Sequence, residues 1–154
     1  MICNASPLIF LSKINQLSLL KNLFGSIIIS EEIKEEVLEG NRLGASSIQN
    51  AINQGWIKII KGKTNIDIGI KGGESSVINL AMERKDTLII DDSSAIKAAK
   101  AFNVDIIRTT TVIFIGVEKN IITKKQAISL IKNLIEAGYY ISPKYYAAIF
   151  DKLR

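Results

Sequence analysis

The 154-residue sequence contains no histidine, one cysteine and two prolines. Without histidine there is no Ser-His-Asp triad, no Cys-His nucleophile pair, no HExxH zinc site and no imidazole proton shuttle. Cys3 alone builds neither a disulfide framework nor a thiolate metal cage. No basic-then-apolar leader with a small-residue cleavage site opens the chain; polar residues already stand at Asn4 and Ser6. The longest apolar runs, such as Val112 to Val117, fall far below the ~18–20 residues of a membrane span. A cytoplasmic protein with no membrane association is the expectation. Acid–base or hydrolytic chemistry must rest on carboxylates, hydroxyls, lysines or a bound metal.

The composition is otherwise that of a globular chain, 47% apolar and 23% charged, with a net charge of +5. The length fits one domain, residues 1–154, large enough to bury about two-thirds of its unfolded surface. The basic excess permits weak attraction to a phosphate backbone and is equally ordinary for solubility.

Hydrophobic periodicity alternates along the chain. Short apolar, β-rich bursts at Met1–Cys3, Ile27–Ile29, Ile57–Ile60, Leu88–Ile90 and Val104–Ile107 are each followed by a stretch with helical spacing. Ser6-Pro7 reads as a helix start, with one apolar stripe through Leu8, Leu11, Leu17, Leu20 and Phe24. Thr123 to Gln126 has capping-box spacing, Gly138 closes that helix, and Ser142-Pro143 opens a last one. Lys61 to Gly73, with three lysines and four glycines, is the candidate flexible stretch. Short buried strands alternating with helices predict a three-layer α/β/α sandwich around a mainly parallel sheet. Ligands in such folds sit beyond the carboxyl ends of the strands, so the residues just after each burst are the ones to weigh.

Most acids have ordinary explanations. Of the five glutamates between Glu31 and Gly40, Glu35 points away from a core face set by Ile33 and Val37. Glu36 lies only about 60° from Ile33, at the margin of the apolar arc. Glu74 shares a stripe with Val77, Ile78 and Ala81, whereas Glu83 faces solvent. A carboxylate on a buried stripe needs a cation or a functional pocket, since unpaired burial of charge is expensive. Asp92 suits the N-cap of the helix that follows, but capping needs one acid and Asp91 stands beside it. Asn4 suits a cap, Cys3 a small core residue, and the C-terminal tyrosines packing positions. If Glu36, Glu74 and Asp92, with Asp91 nearby, converge at one sheet edge, their charges require compensation. Oxygen donors without imidazole or thiolate select Mg²⁺ or Mn²⁺ over zinc, and the reaction class that follows is hydrolytic phosphoryl transfer on nucleic acid.

These residues carry a resemblance. Asn-Ala-Ser-Pro-Leu-Ile at residues 4–9, Ile-Lys-Glu-Glu-Val at 33–37, Gly-Gly-Glu ending at Glu74 and Ile-Ile-Asp-Asp ending at Asp92 resemble a PIN domain. They are most similar to the branch of small prokaryotic PIN-like proteins that includes the VapC-type toxins, as is the ending Glu-Ala-Gly-Tyr-Tyr-Ile-Ser-Pro. The resemblance covers nearly the whole chain. It implies Mg²⁺- or Mn²⁺-dependent ribonuclease activity on RNA, a homodimer and, for a toxin, an antitoxin protein partner. Asn4 falls where the family usually has its first aspartate, Glu36 and Glu74 on the second and third acidic positions, and Asp92 on the fourth, with Asp91 as the alternative. These residues are the expected catalytic and metal-holding set; Ser6, Ser93, Thr109 and Thr110 are expected to line the substrate cleft. Asn4 is the departure. An amide oxygen can ligate a metal but brings no charge and cannot act as a base, which leaves open a catalytically weak or inactive PIN-like binding module. A phospho-acceptor receiver domain also clusters acids at a parallel sheet, but places its acid pair after the first strand.

Overall fold

The strands of this protein are almost entirely isoleucine, leucine and cysteine, as expected for a parallel sheet buried on both faces. In a computed structural model describing residues 1–154, five strands form one all-parallel sheet: β1 (Ile2–Cys3), β2 (Ile27–Ile29), β3 (Ile57–Ile59), β4 (Leu88–Ile89) and β5 (Ile106–Ile107). Their order is β3-β2-β1-β4-β5. Ile2 is in register with Ile28 on one side and Leu88 on the other. The exposed Lys58 and the half-buried β5 mark the two edges.

Nine helices flank the sheet: α1 (Ala5–Lys13), α2 (Ser18–Phe24), α3 (Glu31–Leu38), α4 (Ala45–Asn53), α5 (Gly73–Arg84), α6 (Ser93–Ala101), α7 (Thr109–Glu118), α8 (Lys124–Glu136) and α9 (Pro143–Leu153). The expected α/β sandwich is therefore present, with 38 buried apolar residues joined in one core. No helix is long and apolar enough to cross a membrane. Parallel strands require crossovers, and the sheet order changes direction between β1 and β4, the type of switch point where α/β folds bind ligands.

Several helix ends follow their sequence signals. Thr123 and Gln126 form the reciprocal capping box, and Ser142 accepts the Tyr145 N–H ahead of Pro143. Other ends differ from expectation. The first helix starts at Ala5 with Asn4 in the N-cap position, so Ser6 lies inside α1 and Pro7 in its first turn. The expected single stripe from Leu8 to Phe24 is two helices, because Asn15 turns the chain at φ 56°. Helix α4, which no sequence expectation named, buries Ile48 and Ala51 on one side and starts after Gly44 at φ 91° with no side-chain cap.

The glycine- and lysine-rich segment is pinned rather than loose. Asn79, buried in α5, accepts the Ile66 N–H at 2.8 Å and donates to the Ile66 and Ser75 carbonyls, both at 3.0 Å. Glu83 accepts the N–H groups of Thr64 and Lys63, which in that order hold its carboxyl below the usual carboxylate range. Asn79→Ala should therefore lower stability by about 1–3 kcal/mol in urea denaturation. It should also speed tryptic cleavage at Lys63 and Lys71; unchanged proteolysis would show that Asn79 does not hold the segment.

Candidate active site

The switch point sets two chain segments side by side. The Asn4 N–H donates to the Ile89 carbonyl at 3.0 Å, which fastens the end of β1 to β4. Asn4 is 3% exposed, its side chain caps no helix N–H, and its Oδ1 has no hydrogen-bond partner. An orphaned buried acceptor costs about 1–3 kcal/mol, so a cation or a water is its natural companion.

The adjacent acids after β4 turn to different partners. Asp92 is the N-cap of α6: its Oδ1 accepts the Ala95 N–H at 2.8 Å and the Ser94 hydroxyl at 2.6 Å. The Ser94 bond first, then Ala95, hold its carboxyl below the usual range. Asp91 reaches across to the start of α7. Its Oδ1 accepts the Thr109 N–H at 2.9 Å and the Tyr139 hydroxyl at 2.6 Å, while its Oδ2 accepts the Thr109 hydroxyl at 2.7 Å. Burial, then the Asp91 charge, push the Cys3 thiol up, leaving it neutral and core-like as expected.

Glu36 and Glu74 come from the crossovers on the β2 side. Ser30 caps α3 by accepting the Ile33 N–H at 3.1 Å and bonds the Ser76 hydroxyl of α5 at 2.7 Å. Gly73 permits the close approach: a Cβ there would lie 2.7 Å from Ile33 Cδ1 and 3.0 Å from Glu36 Oε2. The Glu36 carboxylate thus sits at the base of α5, whose first turn carries Glu74. Val77, Ile78 and Ala81 on the Glu74 stripe are buried. Burial first, then the Asp92 charge, then the Glu36 charge raise the Glu74 carboxyl. One carboxyl therefore senses acids from both of its neighbouring elements.

Basic side chains do not neutralise this group. Among 20 lysines and arginines, the one side-chain salt bridge is Arg42 to Glu39 at 3.7 Å, away from all four site acids. Arg108 Nη1 lies 3.5 Å from the Asp91 carbonyl rather than on its carboxylate. The expected convergence is incomplete, since no three Asp, Glu or Cys side chains stand close enough to hold a metal together. The acids are electrostatic neighbours, not a gathered ligand set. The available donors (Asn4 Oδ1, the Glu74 and Glu36 carboxylates, and the Asp91 and Asp92 oxygens left free) are all oxygen. That chemistry fits a hard cation, and Mg²⁺ needs only one or two protein carboxylates alongside water and phosphate.

The four polar residues expected along a substrate cleft divide. Ser93 is exposed at the start of α6, and Ser6 is half-buried in α1. Thr109 and Thr110 are fully buried, with hydroxyls bonded to Asp91 and, at 3.0 Å, to Tyr145. They support the site from beneath rather than line it. Glu36 and Asp92 are exposed. A polar cavity of about 600 Å³ between Ser30, Glu31, Glu32, Lys61, Ser76 and Asn79 includes none of the four site acids in its wall. Such an open acidic surface suits a polymer better than an enclosed small molecule.

Tyr139 and Tyr145, which periodicity assigned to packing, also bond polar groups at this sheet edge, Asp91 and Thr110. A buried tyrosine places its hydroxyl on a partner, and that requirement is the signal that marks them. Burial first, then the charge and hydrogen bond of Asp91, push the Tyr139 phenol far up, so it remains a donor.

A five-stranded, all-parallel sheet in the order β3-β2-β1-β4-β5 between helices defines the class of α/β sandwich domains. The whole chain, residues 1–154, matches the family model of the PIN domain, and the protein belongs to that family. PIN domains are a family of nucleases acting on RNA or other nucleic acid, generally with divalent metals. No curated protein matches the chain.

The two kinds of acid should respond oppositely to mutation. Glu74 has a raised folded-state pKa, so its contribution falls as pH rises through the folded value. Glu74→Gln should raise the metal-free Tm at pH 7, and the gain should vanish below about pH 4. Asp92 has a lowered one, so its stabilisation is present above the unfolded pKa and lost as pH falls through the folded value. Asp92→Ala should cost about 1 kcal/mol at pH 7 through the lost cap. Thermal scans across pH check both signs.

Proposed function

We propose that the protein is a metal-dependent endoribonuclease that hydrolyses RNA phosphodiester bonds at this acid site. The observation that carries the reading is Glu74, a carboxyl raised by burial first and then by the Asp92 and Glu36 charges, with no basic partner. Unrelieved repulsion of that kind is characteristic of functional sites, because a stable fold gains nothing from it. Asn4 Oδ1, Glu74 and a free oxygen of Asp92 or Asp91 would hold Mg²⁺ or Mn²⁺. When bound, the ion supplies positive charge for phosphate oxygens and makes water more acidic. Glu36, exposed beside Glu74, orients water and accepts its proton. The exposed Ser93 meets the substrate backbone, and Ser6 lies near it on α1.

The resemblance to VapC-type proteins extends the proposal to a cytoplasmic toxin, a homodimer restrained by an antitoxin. One observation favours a second reading, a weak or inactive RNA-binding or interaction module. Asn4 contributes no charge where the family's first aspartate stands.

Cleavage of single-stranded RNA with Mn²⁺ or Mg²⁺ tests the proposal. Glu74→Gln and Asp92→Asn should each lower the rate by at least about tenfold. Metal-dependent cutting that survives both would sink this assignment; intact Mn²⁺ binding without cutting selects the second reading. Asn4→Asp places a charge where an orphaned amide oxygen now sits. It should lower the metal-free Tm, enlarge the Tm gain on adding Mn²⁺, and raise the cleavage rate.

A further inference from the structure

We propose that Tyr139 is a positioning residue for Asp91, acting through one hydrogen bond that fixes which carboxylate oxygen the site receives. The inference rests on the metal-dependent reading above and adds to it a residue outside the acid set.

A carboxylate offers about two acceptor positions on each oxygen. On Asp91, Oδ1 is filled by the Thr109 N–H and the Tyr139 hydroxyl, and Oδ2 is half-filled by the Thr109 hydroxyl. One position remains, on Oδ2. Asp91 therefore meets a cation through a single oxygen in a fixed orientation. Thr109 alone would leave an acceptor position open on each oxygen; Tyr139 removes that choice.

The tyrosine is itself held on three sides. It follows Gly138, which takes φ 98° after α8, and its N–H donates to the Leu134 carbonyl at 2.9 Å. Its ring meets Phe10 of α1 edge-on, with centroids 5.3 Å apart and planes at 89°. Phe10 belongs to the helix that begins directly after Asn4. The same ring thus braces the helix that follows β1 and the acid that follows β4, spanning the switch point. Its 6% exposure keeps water from competing for the hydroxyl.

Tyr139→Phe keeps the ring and its contact with Phe10 and removes only the hydroxyl. The full chain is compared as wild type, Tyr139→Phe, Asp91→Asn and the double variant, by Mn²⁺ titration (electron paramagnetic resonance of free Mn²⁺) and RNA cleavage. Loss of an outer hydrogen bond to a metal-holding group typically costs about 10–100-fold in affinity or activity. Tyr139→Phe should weaken Mn²⁺ binding about tenfold and lower kcat with KM for RNA unchanged. It should add nothing in the Asp91→Asn background, since a residue acting through Asp91 has no route left. Wild-type Mn²⁺ affinity and kcat in Tyr139→Phe, or an equal penalty in both backgrounds, would overturn the proposal. Should the Phe variant not fold, fluorotyrosine-labelled wild type decides: Mg²⁺ must move the Tyr139 fluorine resonance, and an unmoved resonance rejects the role. A wild type that binds Mn²⁺ but cuts no RNA defeats the nuclease reading alone, with the affinity comparison still deciding for Tyr139. A wild type that binds no Mn²⁺ defeats both.

Discussion

The parallel pairing of β1 with β4 is the constraint on which the site depends. It joins strands whose first residues are 86 positions apart in register, Ile2 with Leu88, and so ties Asn4 to the Ile89 carbonyl, two residues before Asp91. Everything on the β2–β3 side then reaches the same edge by crossover. The helix after β2 brings Glu36, and the helix between β3 and β4 brings Glu74. The short apolar strands are the means by which polar residues of four segments meet.

Carboxylates at that edge fall into two states. Asp91 and Asp92 are supplied with donors, and their hydrogen bonds do structural service in α6 and at the start of α7. Glu74 and Glu36 have no such partners and repel one another through the gap that Gly73 allows. A fold selected only for stability would have placed one of its many lysines there. On the proposed reading an added cation supplies the missing positive charge, and the open surface around the acids suits a polyanion that brings its own phosphates.

How much of this was readable in the chain depends on the range of the interaction. The five apolar bursts, the Thr123 and Ser142 caps, and the Asp92 cap are local patterns, and each reappears in place. Helical geometry alone put Glu36 at the margin of the apolar face, and its carboxylate approaches Gly73 at the start of α5. The break at Asn15 and the start of α4 were missed because each rests on a residue at positive φ, Asn15 and Gly44, and not on a side-chain cap. The Tyr139 bond to Asp91 spans 48 residues, and no periodicity encodes which hydroxyl will find which acid. Thr109 and Thr110 follow β5 as expected but are fully buried, because their hydroxyls find distant partners, Asp91 and Tyr145, that no local pattern names.

The reach of Tyr139 back to the end of β4 has an outcome for the order in which the chain is made. All four acids and Asn4 have been synthesised once residue 92 emerges, yet β5, Thr109 and Tyr139 have not. A nascent or truncated chain therefore holds the complete set of charges without the donors that orient Asp91. Asp91 acquires its full set of donors only once Tyr139, beyond the end of α8, is in place, so that geometry reports that the chain has been made past α8.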